Sequence, residues 1–137
     1  EYTHTVDEKK RISLPSKFRK ELGNKIVVTR GLDNCLFLYP AKTWASISSE
    51  VAKAGHMQRD EGYTRFTFSG ASEVLIDSAG RILIPEFLRE FAEIKNPVVF
   101  TGVHDRIEIW NEKRWSIYRK KLEQAYSSSF TRSNTGS

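Results

Sequence analysis

Basic side chains are concentrated in one short stretch near the start of the chain. Residues 9–20 contain no acidic residue, and their basic residues are Lys9, Lys10, Arg11, Lys17, Arg19 and Lys20. Arginine offers a planar fork of donors that fits a phosphate or a base edge, and lysine adds a point charge. The net charge of +5 is also typical of proteins with polyanionic partners. The stretch fits either a polyanionic partner or a solvated basic face, and its position on a motif that occurs twice adds weight to the first interpretation.

The same pattern occurs a second time further along the chain. With an offset of 70, the matched pairs are Asp7 and Asp77, Arg11 and Arg81, Ile12 and Ile82, Pro15 and Pro85, and Arg19 and Arg89. With an offset of 71, they are Gly31 and Gly102, Leu38 and Ile109, Tyr39 and Trp110, and Trp44 and Trp115. A match of this length indicates an internal duplication, which must be considered before any other feature.

The repeated motif contains the residues of a tight turn. Asp77 can accept hydrogen bonds from backbone N–H groups, and Gly80 supplies a positive φ without steric cost. In the first copy Lys10 occupies the glycine position, where a left-handed backbone costs roughly 1 kcal/mol. Arg11 and Arg81 then either pair with the preceding aspartate to tie the turn, or project towards a phosphate or base edge. The duplication favours the second hypothesis, because two related loops can contact successive groups of a regular polymer.

The elements that position these loops follow from periodicity and from helix and turn signals. Strands are predicted at residues 2–6, 11–14, 25–29, 35–39, 73–76, 81–84, 97–101 and 106–110. Helices are predicted at residues 15–22, 41–54, 85–92 and 112–126. The strand at 35–39 is apolar throughout, which predicts that both of its faces are covered. Residues 56–71 fit a strand or a helix, and periodicity does not decide between them.

Two resemblances account for this layout. Asp-x-x-Gly-Arg followed by apolar-x-apolar-Pro and a short helix, present twice, resembles the swapped-hairpin DNA-binding domains of the AbrB and SpoVT type. The two-copy arrangement, in which Trp44 and Trp115 stand near the starts of helices, resembles the MraZ family over roughly residues 1–125. The resemblance implies an α+β, β-rich fold in which two pseudo-symmetric repeats form a small barrel-like core with flanking helices. The repeats would span residues 1–55 and 72–126, joined by a connecting helix at 56–71 and followed by a disordered tail at 127–137.

The same resemblance implies a function. It is that of a cytoplasmic, nucleoid-associated transcriptional regulator that assembles into a ring-shaped homo-oligomer. Its partner would be double-stranded DNA carrying short G-rich repeats, upstream of a division and cell-wall gene cluster. The DNA-contacting residues carry over to Lys9 and Arg11 in the first loop, and to Arg81 alone in the second, where Ala79 replaces the lysine. Lys10, Lys17 and Arg19 would add a non-specific attraction.

Other classes of function receive little support. The histidines and the single cysteine, Cys35, are not spaced as metal ligands, and no P-loop, dinucleotide motif or nucleophile elbow is present. We therefore expect no enzyme activity, no cofactor and no metal. No apolar run is long enough for a membrane span. The remaining alternatives are a non-catalytic protein-interaction scaffold and an antitoxin-like dimerisation module.

Overall fold

The computed structural model describes the backbone of residues 1–135 and the side chains of residues 1–127 other than His56. The strands are β1 (Tyr2–His4), β2 (Arg11–Ser13), β3 (Lys25–Arg30), β4 (Leu36–Pro40), β5 (Ser72–Leu75), β6 (Arg81–Leu83), β7 (Val98–Val103) and β8 (Arg106–Asn111). The helices are α1 (Ser16–Leu22), α2 (Ala41–Ala54), α3 (Glu61–Ser69), α4 (Glu86–Ala92) and α5 (Glu112–Thr135), with single 3-10 turns at Leu32–Asn34 and His56–Gln58.

Six antiparallel strands form the main sheet, in the order β1-β7-β8-β4-β3-β5. In the second repeat the counterparts of β1, β3 and β4 are β5, β7 and β8. Exchanging each strand with its counterpart gives the same order read from the other edge of the sheet, so a pseudo-twofold axis passes between β8 and β4. The first strand of each repeat pairs with the other repeat, because β1 joins β7 and β5 joins β3. This exchange is the swapped-hairpin arrangement that the resemblance to AbrB-type domains implies.

Strands β2 and β6 form a separate two-stranded ribbon on the same axis. The Cα partners are Arg11 with Leu83, Ile12 with Ile82, and Ser13 with Arg81. Ile12 and Ile82 are buried at its centre. Because the strands are antiparallel, the two repeated turns, which precede β2 and β6, lie at opposite ends of the ribbon.

The main core lies between the six-stranded sheet, the ribbon and helices α1 and α4. Its largest fully buried side chains include Phe100 from β7, Ile12 from β2 and Leu88 from α4. Among the described residues, no ladder pairs β1 with β5, so the core is closed by the ribbon and helices rather than by a continuous barrel ladder. The predicted α+β class with two pseudo-symmetric repeats is confirmed.

A second cluster lies on the opposite face of the sheet. Cys35, just before β4, and Phe37 and Tyr39 of β4 are buried there with Val99 and Trp110, and aromatic residues of α2 and α5 pack over them. Leu36 and Leu38 of the same strand face the main core. Strand β4 is therefore apolar because both of its faces are covered, as predicted.

The register of the repeats differs from the sequence match in one place. Tyr2 pairs with Phe100, and its counterpart Ser72 pairs with Val28, so β3 and β7 are related by an offset of 72. Gly102 is therefore equivalent to Arg30, and the sequence-based pairing of Gly102 with Gly31 is wrong. The reason is the length of the connections. The segment before β7 is two residues longer than the segment before β3, and the connection from β7 to β8 is one residue shorter than the connection from β3 to β4.

The structure defines the secondary structure of residues 56–71 and the C-terminal end of α5, which the sequence left open or placed elsewhere. Residues 56–71 contain α3, whose N-terminus is capped by the Asp60 carboxylate accepting from the Tyr63 N–H at 3.0 Å. Helix α5 continues to Thr135, past the predicted boundary at Tyr126, because no glycine or proline interrupts it. Of the tail predicted to be disordered, residues 136 and 137 lie outside the described residues. No helix in the described part of the chain is long and apolar enough to cross a membrane.

Candidate nucleic-acid interface

The first repeated turn is organised by the carboxylate of Asp7. One oxygen, Oδ1, accepts from the backbone N–H groups of Lys9 at 2.9 Å and Arg11 at 2.8 Å. The other, Oδ2, accepts from Arg11 Nε at 2.9 Å. The backbone closes the loop, since the Lys10 N–H donates to the Asp7 carbonyl at 3.0 Å. One side chain thus holds both the loop backbone and the arginine that follows it.

The second turn repeats this arrangement almost atom for atom. Asp77 Oδ1 accepts from the backbone N–H groups of Ala79 at 2.9 Å and Arg81 at 2.8 Å, and Oδ2 accepts from Arg81 Nε at 2.9 Å. The Gly80 N–H donates to the Asp77 carbonyl at 2.9 Å. The two loops therefore have the same hydrogen-bond geometry although their sequences differ.

Both carboxylates are stabilised in their ionised form. The backbone N–H of Arg11 is the largest cause that holds the pKa of Asp7 below its ordinary value, and the Arg11 side chain acts in the same direction. The pKa of Asp77 is lowered in the same way by Arg81. Each loop therefore keeps its ion pair at neutral pH.

Lys10 adopts the backbone conformation that glycine adopts in the second loop. The φ angle is 66° at Lys10 and 78° at Gly80. A lysine in this left-handed region costs roughly 1 kcal/mol. The network around Asp7 holds the loop in this shape despite the cost, so the first loop keeps the geometry of the second and gains a charge.

The arginine tie leaves donors available for a ligand. Arg11 and Arg81 each use Nε on their own aspartate, while Nη1 and Nη2 have no hydrogen-bond partner among the described residues. Both side chains are 31% exposed. The two hypotheses drawn from the sequence are therefore compatible, because the aspartate fixes the guanidinium from the side and leaves its terminal amino groups facing outward.

The ribbon places both arginines on its outer face. Directly paired residues share a face and alternate residues return to it, so Arg11 and Arg81 lie opposite the buried side of Ile12 and Ile82. They occupy diagonal positions on neighbouring strands, a spacing of roughly 7–8 Å between backbone positions. Lys9 is exposed beside Arg11. The arrangement can offer two guanidinium forks to one surface, with Lys9 in the turn next to the first of them.

Arg19 is placed differently from the other predicted site residues. Its Nε donates to the Leu14 carbonyl at 2.8 Å, and a Cβ added at Gly80 would overlap its guanidinium. Its counterpart Arg89 donates to the Ile84 carbonyl at 2.8 Å. Each of these arginines binds the end of a ribbon strand, and Arg19 also packs against the second loop. The repeat of Arg19 at Arg89 was the sequence signal for this supporting position.

Lys10 and Lys17 lie outside the arginine pair. The Lys10 side chain borders a cleft shared with Glu86, Glu90 and Arg89 of the second repeat. Lys17 is exposed on α1 and borders a separate cleft next to the β7–β8 turn. The ribbon thus places Arg11 and Arg81 on one face, Lys9 is exposed in the turn before Arg11, and Lys10 and Lys17 border two other clefts.

The described residues contain no group of histidine, cysteine and carboxylate side chains that could hold a metal ion. Cys35 is fully buried, and burial raises the pKa of its thiol. A buried thiol with a raised pKa is not a reactive nucleophile.

Comparison with known proteins agrees with the duplicated architecture. The family model described as "MraZ protein, putative antitoxin-like" matches twice, at residues 1–66 and at residues 67–135. Among curated relatives named "Transcriptional regulator MraZ", the chain is 45% identical to that of Moorella thermoacetica over 127 residues, covering 92% of this chain and 89% of the relative. It is 50% identical to that of Caldicellulosiruptor saccharolyticus over 116 residues, covering 84% and 81%. The family model matches both repeats, and the relatives named above align with most of the length of this chain. The chain therefore belongs to the MraZ family.

Proposed function

We propose that the protein is a DNA-binding transcriptional regulator that acts without catalysis. The observation that carries the proposal is the pair of loops with the same hydrogen-bond geometry, each of which displays an arginine fork with free terminal amino groups on the outer face of the ribbon. Relatives that bear the name of a transcriptional regulator support the same conclusion.

The roles of the individual residues follow from their positions. Arg11 and Arg81 bind base edges or phosphates of duplex DNA, because a guanidinium can donate two parallel hydrogen bonds to guanine O6 and N7 or to a phosphate. Lys9 contacts an adjacent phosphate. Lys10 and Lys17 add a longer-range attraction that depends on salt. Arg19 acts mainly by supporting the second loop.

The proposal also includes the assembly of several copies of the protein into one oligomer. One subunit offers few contacts, so useful affinity requires several subunits that bind successive sites on one duplex. A ring-shaped homo-oligomer acting on short G-rich repeats meets this need, since each subunit would meet one repeat. By its resemblance to the family, the protein would be cytoplasmic and associated with the nucleoid, and would control a division and cell-wall gene cluster.

A second candidate is a protein-interaction module with antitoxin-like character, which the description of the matching family model favours. In that case the basic loops would bind an acidic protein surface. Binding would then show no preference for one DNA sequence over another.

Footprinting on the DNA upstream of the protein's own gene separates the two candidates. We expect regularly spaced protected segments centred on G-rich repeats, lost when both Arg11 and Arg81 are replaced by alanine. Uniform weak protection, or none, would overturn the proposal of a sequence-specific regulator.

A further inference from the structure

Each repeated loop lies beside a helix of the other repeat. The second loop lies beside the start of the first repeat's helix, because a Cβ at Gly80 would overlap the Arg19 guanidinium and the Gly80 carbonyl accepts from the Leu14 N–H at 3.0 Å. The first loop lies beside α4, since Lys10 borders a cleft with Arg89 of that helix. The charges around each loop therefore depend on the helix of the other repeat.

The two helices differ in charge next to the loops. On α4, Glu86 and Glu90 are exposed and border the cleft with Lys10. With the offset of 70 that relates the repeats, their counterparts on α1 are Ser16 and Lys20. Residues four apart share a face of a helix, so by pseudo-symmetry this pair lies beside the second loop. Two carboxylates therefore stand beside the first loop, where the second loop has a hydroxyl and an ammonium group.

The other charged residues on these helices and at the cleft do not remove this difference. Arg89 and Arg19 are counterparts that make the same bond to a strand end, so they add the same charge to both ends of the ribbon. Glu93 and Lys95 also border the cleft, with opposite charges, and Glu93 is paired with Arg114 at 3.0 Å. The difference between the ends therefore comes from the residues at the positions of Glu86 and Glu90.

The loops and the helices beside them have opposite tendencies in charge. Lys9 and Lys10 make the first loop basic, although Glu8 offsets part of their charge, and residues 78–80 of the second loop are uncharged. The acidic side of α4 thus counteracts the lysines of the first loop, and α1 adds positive charge to a second loop that has little of its own. The fold divides the basic stretch at residues 9–20 between the two ends of the ribbon.

The outer face of the ribbon is also unequal at its two ends. Leu83, which is 53% exposed, is paired with Arg11, and Ser13 is paired with Arg81. Cross-strand partners share a face, so an apolar side chain stands next to the first arginine and a hydroxyl next to the second. A cleft beside Leu83 is also bordered by Glu73 of β5. The end with Arg81 is therefore polar and basic, and the end with Arg11 combines an arginine with apolar and acidic groups.

We propose that the two ends of the ribbon bind DNA unequally, and that each subunit therefore binds its DNA site in one orientation. At the end with Arg81, Lys20 adds a phosphate contact to that of the arginine. At the end with Arg11, Glu86 and Glu90 repel phosphates, so stable contact there requires a base edge that matches the arginine. This asymmetry rests on the proposed function and identifies residues that determine its specificity.

The contribution of the basic end is tested by removing its charge. Lys20→Gln removes the ammonium group beside the second loop, and Lys53→Gln, at a side chain 73% exposed on α2, is the matched control. Anisotropy titrations with a duplex of tandem G-rich repeats give the affinity across a salt series. Lys20→Gln should bind more weakly, with a log–log salt slope smaller by about 0.9, the value for one phosphate contact. Equal effects of the two substitutions would overturn the proposal.

The role of the carboxylates is tested by neutralising them. Glu86→Gln/Glu90→Gln should bind a shuffled duplex several-fold more tightly and prefer the repeats less, because the repulsion of phosphates is lost. Glu50→Gln/Glu123→Gln, at exposed positions on α2 and α5, is the matched control and should change neither affinity. Circular dichroism verifies that each variant is folded. An unchanged preference in the folded Glu86→Gln/Glu90→Gln variant would overturn the proposal.

The orientation of the bound protein is measured by directed cleavage of the DNA. Cys35 is the single cysteine and is buried, so Glu8→Cys or Ser78→Cys places an accessible thiol in the first or the second loop. Each thiol carries an iron–EDTA cleavage reagent. With one orientation, the two reagents cut at different positions within each repeat. Cleavage at the same positions by both reagents would mean that both orientations occur and would overturn the proposal.

Failure of the proposed function gives a different result. If the wild type binds the repeats and the shuffled duplex equally, the sequence-specific function fails, and a loss of affinity in Lys20→Gln but not in Lys53→Gln still supports unequal ends. If the wild type prefers the repeats and both reagents cut the same positions, the function stands and the proposal of unequal ends fails. Wild-type protein that binds neither duplex would overturn both.

Discussion

Asp7 and Asp77 each use one carboxylate oxygen on the loop backbone and the other on an arginine Nε. This division explains how one ion pair can both stabilise a loop and prepare it for binding. The aspartate limits the rotation of the arginine, so less side-chain entropy is lost when a ligand binds. In the proposed function, the terminal amino groups of Arg11 and Arg81 are the donors for that ligand.

The lowered pKa values of Asp7 and Asp77 predict an acid-sensitive contribution to stability. A carboxyl group whose pKa is lowered by folding stabilises the protein fully above its unfolded pKa, which is about 3.9. This stabilisation is lost as the pH falls through the folded pKa. The melting temperature of the wild type should therefore fall more steeply below about pH 4 than that of the Asp7→Asn/Asp77→Asn variant. If the melting temperatures of the two proteins change by the same amount between pH 2 and pH 6, the assignment of this stabilisation to Asp7 and Asp77 is contradicted.

Lys10 and Gly80 occupy equivalent positions in the two loops, and substitutions at these positions should have opposite effects on stability. Lys10→Gly relieves a left-handed lysine and should stabilise the protein by up to about 1 kcal/mol. Gly80→Ala should destabilise it by at least about 1 kcal/mol, because φ is positive and the new Cβ meets Arg19. Urea denaturation measures both changes. Equal destabilisation by the two substitutions would show that the loops are not equivalent.

At the scale of elements, the ribbon β2–β6 depends on helices α1 and α4 for its ends. Arg19 and Arg89 bind the carbonyls of Leu14 and Ile84, where each strand leads into its helix. These bonds join the helix to the strand that carries the loop. The position of the loop arginines is therefore determined by the helix that follows each strand.

Replacement of Arg19 tests this coupling. Arg19→Ala should lower the free energy of unfolding by about 1–2 kcal/mol, since a charged donor to a partly buried carbonyl is lost. Lys17→Ala, which removes the same charge from an exposed position on the same helix, should change stability little. Denaturant titration of both variants provides the comparison. An equal effect of the two substitutions would favour a purely electrostatic role for Arg19.

The sequence was sufficient for the repeated motif, most of the strands and the helices other than α3, because turn residues, prolines and strand alternation are local signals. The exchange of hairpins and the helix within residues 56–71 were implied by the family resemblance instead. The sequence did not reveal the register of β7, which depends on the lengths of two connections. It also did not reveal the rings around Arg30, since Phe66, Phe87 and Phe91 are separated along the chain and only tertiary packing joins them. The assignment of Arg19 to DNA binding came from charge alone, and its bond to Leu14 requires the fold.

At the scale of the whole molecule, the repeats cannot act as independent domains. Each contributes its first strand to the other, and Ile12 and Ile82 meet on the pseudo-twofold axis. Both repeats contribute side chains to one core, so the segment between residues 55 and 72 does not separate two cores. Unfolding of one repeat therefore removes the core of the other.

This shared core predicts a single cooperative unfolding transition. Ile12→Ala and Ile82→Ala should each lower stability by about 2–5 kcal/mol, as for other fully buried isoleucines. Tryptophan fluorescence and far-ultraviolet circular dichroism should report coincident transitions in both variants. Two separated transitions, with only one affected by each substitution, would mean that the repeats fold separately.

The most direct test of DNA recognition is fluorescence anisotropy with a duplex of tandem G-rich repeats and a shuffled duplex, across a salt series. The Arg11→Ala/Arg81→Ala variant should lose at least roughly tenfold in affinity for the repeats, since each base contact contributes about 1–3 kcal/mol. Lys53→Ala/Arg119→Ala, with the same loss of charge away from the ribbon, should retain the preference. The account predicts preference for the repeats, steep salt dependence and loss in the loop variant alone. Equal binding of both duplexes by the wild type, or equal loss in both variants, would contradict it.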